Sequence, residues 1–108
     1  MLTIEAKIRF DRKLENPNAL DEDIDTRNII RPAINFGENL LFSGTIQVDK
    51  YIEILELGST YDAVIVLPTI GEEAYDAIGK FLNEGSEFKI QTASKVIGKC
   101  TLLKYSFQ

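Results

Sequence analysis

The acidic run Asp21-Glu22-Asp23-Ile24-Asp25 is the first candidate for chemistry, because Asp21, Asp23 and Asp25 have the 1-3-5 spacing of a calcium loop. The rest of such a loop is missing. Thr26 stands where the sharp turn needs glycine, and Pro32 stands at the twelfth position, where a bidentate glutamate belongs. The run therefore reads as a solvated loop, and no metal or other cofactor is expected. Glu72 and Glu73 are adjacent carboxylates of the kind acid–base catalysis uses. Adjacent residues on a helix do not face each other, whereas acids at a helix start match its dipole. Cys100 is the only thiol; Lys99 beside it falls on the opposite face of a strand, and the chain holds no histidine to activate it. The missing histidine also removes a Ser-His-Asp triad and an imidazole switch. Tyr51, Tyr61, Tyr75 and Tyr105 have rings that bases stack on, but their scatter suits half-buried packing in a small fold. No constellation supports an enzyme.

The elements that must position these residues belong to a chain of 108 residues with net charge −5, which fits one domain over 1–108. The charge is uneven: residues 1–13 carry +2, residues 85–108 carry +3, and the stretch between carries −10. Pairing of the two ends would make one mildly basic face on an acidic body. No apolar run reaches the ~18–20 residues that span a bilayer, and the start lacks the basic-then-apolar pattern of a signal peptide. With one unpaired thiol, the expectation is a cytoplasmic protein without a membrane partner.

Leu2, Ile4, Ala6, Ile8 and Phe10 alternate with polar residues, which predicts a strand with one buried face. Residues 11–28 lose the pattern and read as a long acidic loop, functional or mobile. Further strands are expected over 29–36, with Pro32 at an edge or strand start, and over 40–48, with Gly44 as a bulge or bend. Strands over 61–67, 88–92 and 96–107 complete the set. Thr69 and Glu72 resemble a capping box before a helix over 72–83, whose acids fall in the first turn and which Gly85 ends. The sum is about six strands and one short helix, the pattern of a mostly β protein folded as a small closed antiparallel barrel.

Four pieces carry a family resemblance: Ile30-Arg31-Pro32-Ala33-Ile34-Asn35-Phe36; Phe42-Ser43-Gly44-Thr45-Ile46; the turn Glu56-Leu57-Gly58-Ser59 before Ala63-Val64-Ile65-Val66-Leu67; and Phe88-Lys89-Ile90-Gln91 followed by Lys95-Val96-Ile97-Gly98. In this order they resemble the C-terminal β-barrel, domain III, of elongation factor Tu and related translational GTPases. The resemblance runs from about residue 3 to 105 and implies a six-stranded barrel standing without a GTPase domain. It departs at Ala93-Ser94, where the family has a Gly-Gly turn, and at the added helix. No phosphate loop is present, since Gly79-Lys80 lacks the upstream glycine and the hydroxyl. In the family this region lies near transfer RNA, so the resemblance implies RNA contact through Arg31, Lys89, Lys95 and Lys99.

Two functions follow as expectations. The first is a non-catalytic binding module with a protein partner, a basic one in an inhibitor or immunity role. Its contacts would lie on the family-atypical parts, at Asp21, Asp23, Asp25, Glu72, Glu73 and Asp76. The alternative is a small accessory RNA-binding protein, with weak binding because four basic residues on an acidic chain release few counterions. The oligomeric state stays open.

Overall fold

The computed structural model describes residues 1–108. The strands are β1 (Leu2–Phe10), β2 (Ile24–Asp25), β3 (Ala33–Asn35), β4 (Leu41–Ser43), β5 (Thr45–Gln47), β6 (Ile54–Leu55), β7 (Thr60–Leu67), β8 (Glu87–Thr92) and β9 (Lys95–Phe107). One helix, α1 (Glu72–Ile78), runs into a 3-10 turn at Gly79–Phe81. No helix is long and apolar enough to cross a membrane.

The alternation of β1 sets the centre. Leu2, Ile4, Ala6, Ile8 and Phe10 are all at most 2% exposed, while β1 pairs antiparallel with β7 on one side and β9 on the other. The main sheet runs β4-β3-β8-β9-β1-β7-β5. Its two edges, β4 and β5, are consecutive in the chain and meet at Gly44. Ile46 pairs with Ile65 on one side and bridges to Ile30 on the other, where its N–H donates to the Ile30 carbonyl at 2.9 Å. Residues 41–47 thus act as one bent strand joining both edges. The sheet closes as a barrel-like antiparallel ring, and the expected β class with one short helix is observed.

Gly44 is the bend that the sequence suggests, and its reason is space. A Cβ there would lie 2.7 Å from the Ile65 side chain. Pro32, which cannot donate, sits just before β3, where its carbonyl accepts from the Gly44 N–H at 2.9 Å. The strand expected over 29–36 is shorter for that reason, with a ladder only at Ala33–Asn35 and the single bridge at Ile30.

The barrel is filled rather than hollow. Twenty buried residues form one cluster, including Ile34, Phe36, Ile65, Leu67, Phe88, Ile90, Cys100 and Leu102. Each fully buried aliphatic side chain contributes about 1.5–3 kcal/mol relative to exposure.

Two caps cover the ends. At the Phe10 end, residues 11–28 form an anchored segment rather than a mobile loop. The Asn16 Nδ2 donates to Asp11 and to the Val96 carbonyl, Ala19 is buried, and β2 pairs with β6. At the Leu2 end, α1 packs through buried Ile78, and the Tyr75 ring stacks on Phe107 with centroids 4.1 Å apart. The expected capping box does not form. Ile70 is wholly buried, which holds Thr69 in the turn after Pro68, and the helix starts at an N-cap of Gly71 with no side-chain cap. The helix also stops at Ile78 instead of 83, because Gly79 is a weak helix former and the tighter turn sets Leu82 into the core. Gly85 lies beyond the helix in the turn before β8, donating its N–H to the Leu102 carbonyl at 2.8 Å.

Gly98 faces Phe10 across the β1–β9 pair, where a Cβ would collide with the Arg9 carbonyl oxygen and touch the Phe10 Cα at 3.0 Å. Both neighbours are backbone and cannot swing away. Gly98→Ala is expected to cost roughly 1–3 kcal/mol or more, read as a lower urea midpoint with an unchanged m-value. A midpoint within error of the parent protein would contradict this strand approach.

Candidate functional site

The six acidic candidates separate into two groups at opposite ends of the barrel. Asp21, Asp23 and Asp25 lie in the cap over the Phe10 end, and Glu72, Glu73 and Asp76 lie on α1 over the Leu2 end. The nine residues of β1 separate these ends, roughly 26 Å at about 3.3 Å per residue.

The first group is already engaged within the chain. Lys13 Nζ lies 3.2 Å from Asp21, and the Leu57 N–H donates to Asp23 at 2.9 Å. Asp25 is gripped by Arg27, whose guanidinium and backbone N–H hold the carboxyl down at about 2. The calcium-like spacing therefore serves three separate contacts: two within the cap, Lys13–Asp21 and Arg27–Asp25, and one from Asp23 to the Leu57 backbone outside it. The second group differs: Glu72, Glu73 and Asp76 are exposed and have no ion-pair partner in the chain. The one cation near the helix end, Lys80, is turned to Glu38 at 3.3 Å.

The basic candidates are brought to one side. Lys89 on β8 is directly opposite Lys99 on β9, and Lys99 is in turn opposite Arg9 on β1. Lys95 lies at the β8–β9 turn, and Arg31 precedes β3, whose Ala33 faces Gln91, at the same end of β8. Arg9 is the member of this row that the sequence reading lacks. Its alternation within β1 was legible, but its pairing to Lys99 needs the register. Much of the row is neutralised: Arg9 is bound to Asp11 and Glu15, and Lys99 lies 3.5 Å from Glu87. Arg31, Lys89 and Lys95 make no ion pair. The sequence places Lys89 and Gln91 on one face, and the regular pairing of β8 with β3 keeps Gln91 on that face, covered by Asn35. There it is 8% exposed and accepts from Asn35 Nδ2 at 2.9 Å.

Cys100 is fully buried, and burial pushes its thiol up to about 12. It is a packing residue. Tyr61 and Tyr75 pack partly buried against the core, as expected, whereas Tyr51 is 82% exposed with Lys50 Nζ over its ring at 5.2 Å. The surface depressions are shallow and open. One of them, of about 520 Å³, lies between α1 and the Leu40–Phe42 segment and joins apolar side chains to a carboxylate border. Nothing in the sequence signals this groove, because residues 40–42 and 72–77 meet only through the topology. No protein-family model matches the sequence, and no curated protein matches it.

Two outcomes follow from these environments. Glu15 accepts from Arg9 and Arg12 at 2.7–2.9 Å, which holds its carboxyl at about 2 against an ordinary 4.5. A carboxylate depressed in the folded state stabilises above its unfolded value, and that contribution is lost as pH falls from about 4.5 through about 2. Urea midpoints measured at pH 6 and pH 2 should therefore drop further for the parent protein than for Glu15→Gln; equal drops would contradict the pairing. Cys100 should resist iodoacetamide at pH 8 in the folded protein and react once urea unfolds it. Fast labelling of the folded chain would contradict its burial.

Proposed function

We propose that this protein is a non-catalytic, cytoplasmic binding module that presents the acidic α1 end of its barrel to a basic protein partner. One observation carries the reading: Glu72, Glu73 and Asp76 project together from a short helix with no cation of their own chain to answer them. Uncompensated surface charge of one sign steers and selects an oppositely charged partner more than it adds raw affinity. The resemblance of the sequence pieces from Ile30 to Gly98 to translation-factor domain III is in keeping with the same reading. An inhibitor or immunity role, masking a basic toxin or nuclease, fits a module of this charge. The acidic cap at the other end contributes less, because its carboxylates are spent on holding the cap shut.

A second reading, RNA contact through Arg31, Lys89, Lys95 and Lys99, draws on the cross-strand pairing of Lys89 with Lys99. Like charges directly opposite are unfavourable in a sheet, so their retention suits an anionic ligand. Glu87 beside Lys99 offers the competing explanation of internal neutralisation.

Affinity purification of the tagged chain from cells, with and without ribonuclease, separates the two. The protein-partner reading expects a stoichiometric basic protein that survives ribonuclease and is lost from the Glu72→Gln, Glu73→Gln, Asp76→Asn variant. Recovery of transfer RNA in its place would overturn it, especially if Lys95→Glu abolished a mobility shift whose affinity falls with salt at a log–log slope of about 3–4 for four phosphate contacts.

A further inference from the structure

We infer that the groove between α1 and the Leu40–Phe42 segment is the seat of the partner, and that it takes an extended segment carrying an apolar anchor flanked by lysine or arginine. This rests on the reading that the partner is a basic protein, and adds where and through what chemistry it docks.

The groove has an apolar floor and a charged rim of one sign. Leu40 and Phe42 line one wall, Ala74 and Ala77 line the other, and Glu72 and Glu73 stand at the border. It is shallow and open, about 520 Å³, and so suits an extended surface segment rather than an enclosed small molecule. The two alanines leave the helix wall low, since neither side chain extends beyond Cβ. Phe42 is itself fixed, packed beside Phe36 with ring centroids 6.2 Å apart, so this wall is preformed.

Charge picks the occupant. Of five depressions on the surface, four are lined by cations and carboxylates together: Arg27 and Lys50 with Asp49, Lys7 with Asp62, Lys89 with Glu38 and Glu87, and Lys89 and Lys99 with Asp11 and Glu87. The α1 groove alone is lined by carboxylates with no cation. An acidic or neutral segment would leave those carboxylates unanswered, and a second copy of this chain, at net charge −5, is an unfavourable match. An apolar residue between two basic ones matches both parts of the groove, in the anchor-and-pocket mode of peptide recognition.

The test is a titration of the isotope-labelled chain, followed by amide chemical shifts, with three capped hexapeptides: Lys-Lys-Leu-Phe-Lys-Lys, Lys-Lys-Ser-Ser-Lys-Lys and Glu-Glu-Leu-Phe-Glu-Glu. The first should shift amides of residues 40–42 and 69–77 and bind at least tenfold more tightly than either of the others. Glu72→Gln with Glu73→Gln should weaken it about tenfold. Ala77→Leu, an exposed helical position, should block it while leaving the remaining amide shifts of the free chain in place. Shifts centred on another surface, equal affinity for the acidic peptide, or groove shifts on simply concentrating the free chain would overturn the assignment. If the purification above yields a basic partner whose footprint misses this groove, the seat is wrong and the partner reading stands. If it yields none, the partner reading fails whatever the peptide does.

Discussion

The structure depends on one bent strand being paired on both sides. Residues 41–47 face β3 and the Ile30 bridge on one flank and β7 on the other, with Gly44 at the bend where no side chain fits against Ile65. Without that double pairing the sheet would end in two open edges, and exposed edges invite pairing with other chains. With it, every apolar residue of β1 is enclosed and the interior fills with side chains instead of solvent. A filled barrel leaves chemistry only to the outside and to the two ends.

The two ends have diverged in how they spend charge. At the Phe10 end, side-chain-to-backbone bonds joining Asn16 to Val96 and Asp23 to Leu57 hold a cap of nearly twenty residues on the barrel. Polar residues that look functional in the sequence are structural there. At the Leu2 end the cap is a helix held by apolar contact, through Ile78, Leu82 and the Tyr75–Phe107 stack. That helix needs none of its carboxylates for anchorage, so they are free to meet something else.

Much of the barrel was legible. The alternation of Leu2 through Phe10, the Val- and Ile-rich stretch ending at Leu67 and the long last strand all encode their burial in a period of two, which needs no partner to recognise. Pro32 and Gly44 also declared their roles, through a missing donor and a missing side chain. The helix start was misplaced because Ile70 is pulled into the core, a tertiary demand that overrides the local Thr69–Glu72 signal. The cap looks loose in the sequence because its ties reach far along the chain: Asn16 bonds Val96, and Asp23 bonds Leu57. For the site, the residue types were visible, but their grouping was not. Register alone aligns Arg9, Lys99 and Lys89, and topology alone separates the two acidic groups and opens the α1 groove.

Closure of the ring is tested most directly by native-state amide hydrogen exchange at Gly44 and Ile46, whose N–H groups donate to Pro32 and Ile30 at 2.9 Å. A closed barrel predicts protection of both amides to the same order as those in the middle of β1, since opening them requires opening the sheet. Exchange of Gly44 and Ile46 at the speed of exposed turn amides, with β1 still protected, would mean an open sheet with two free edges and would contradict the account.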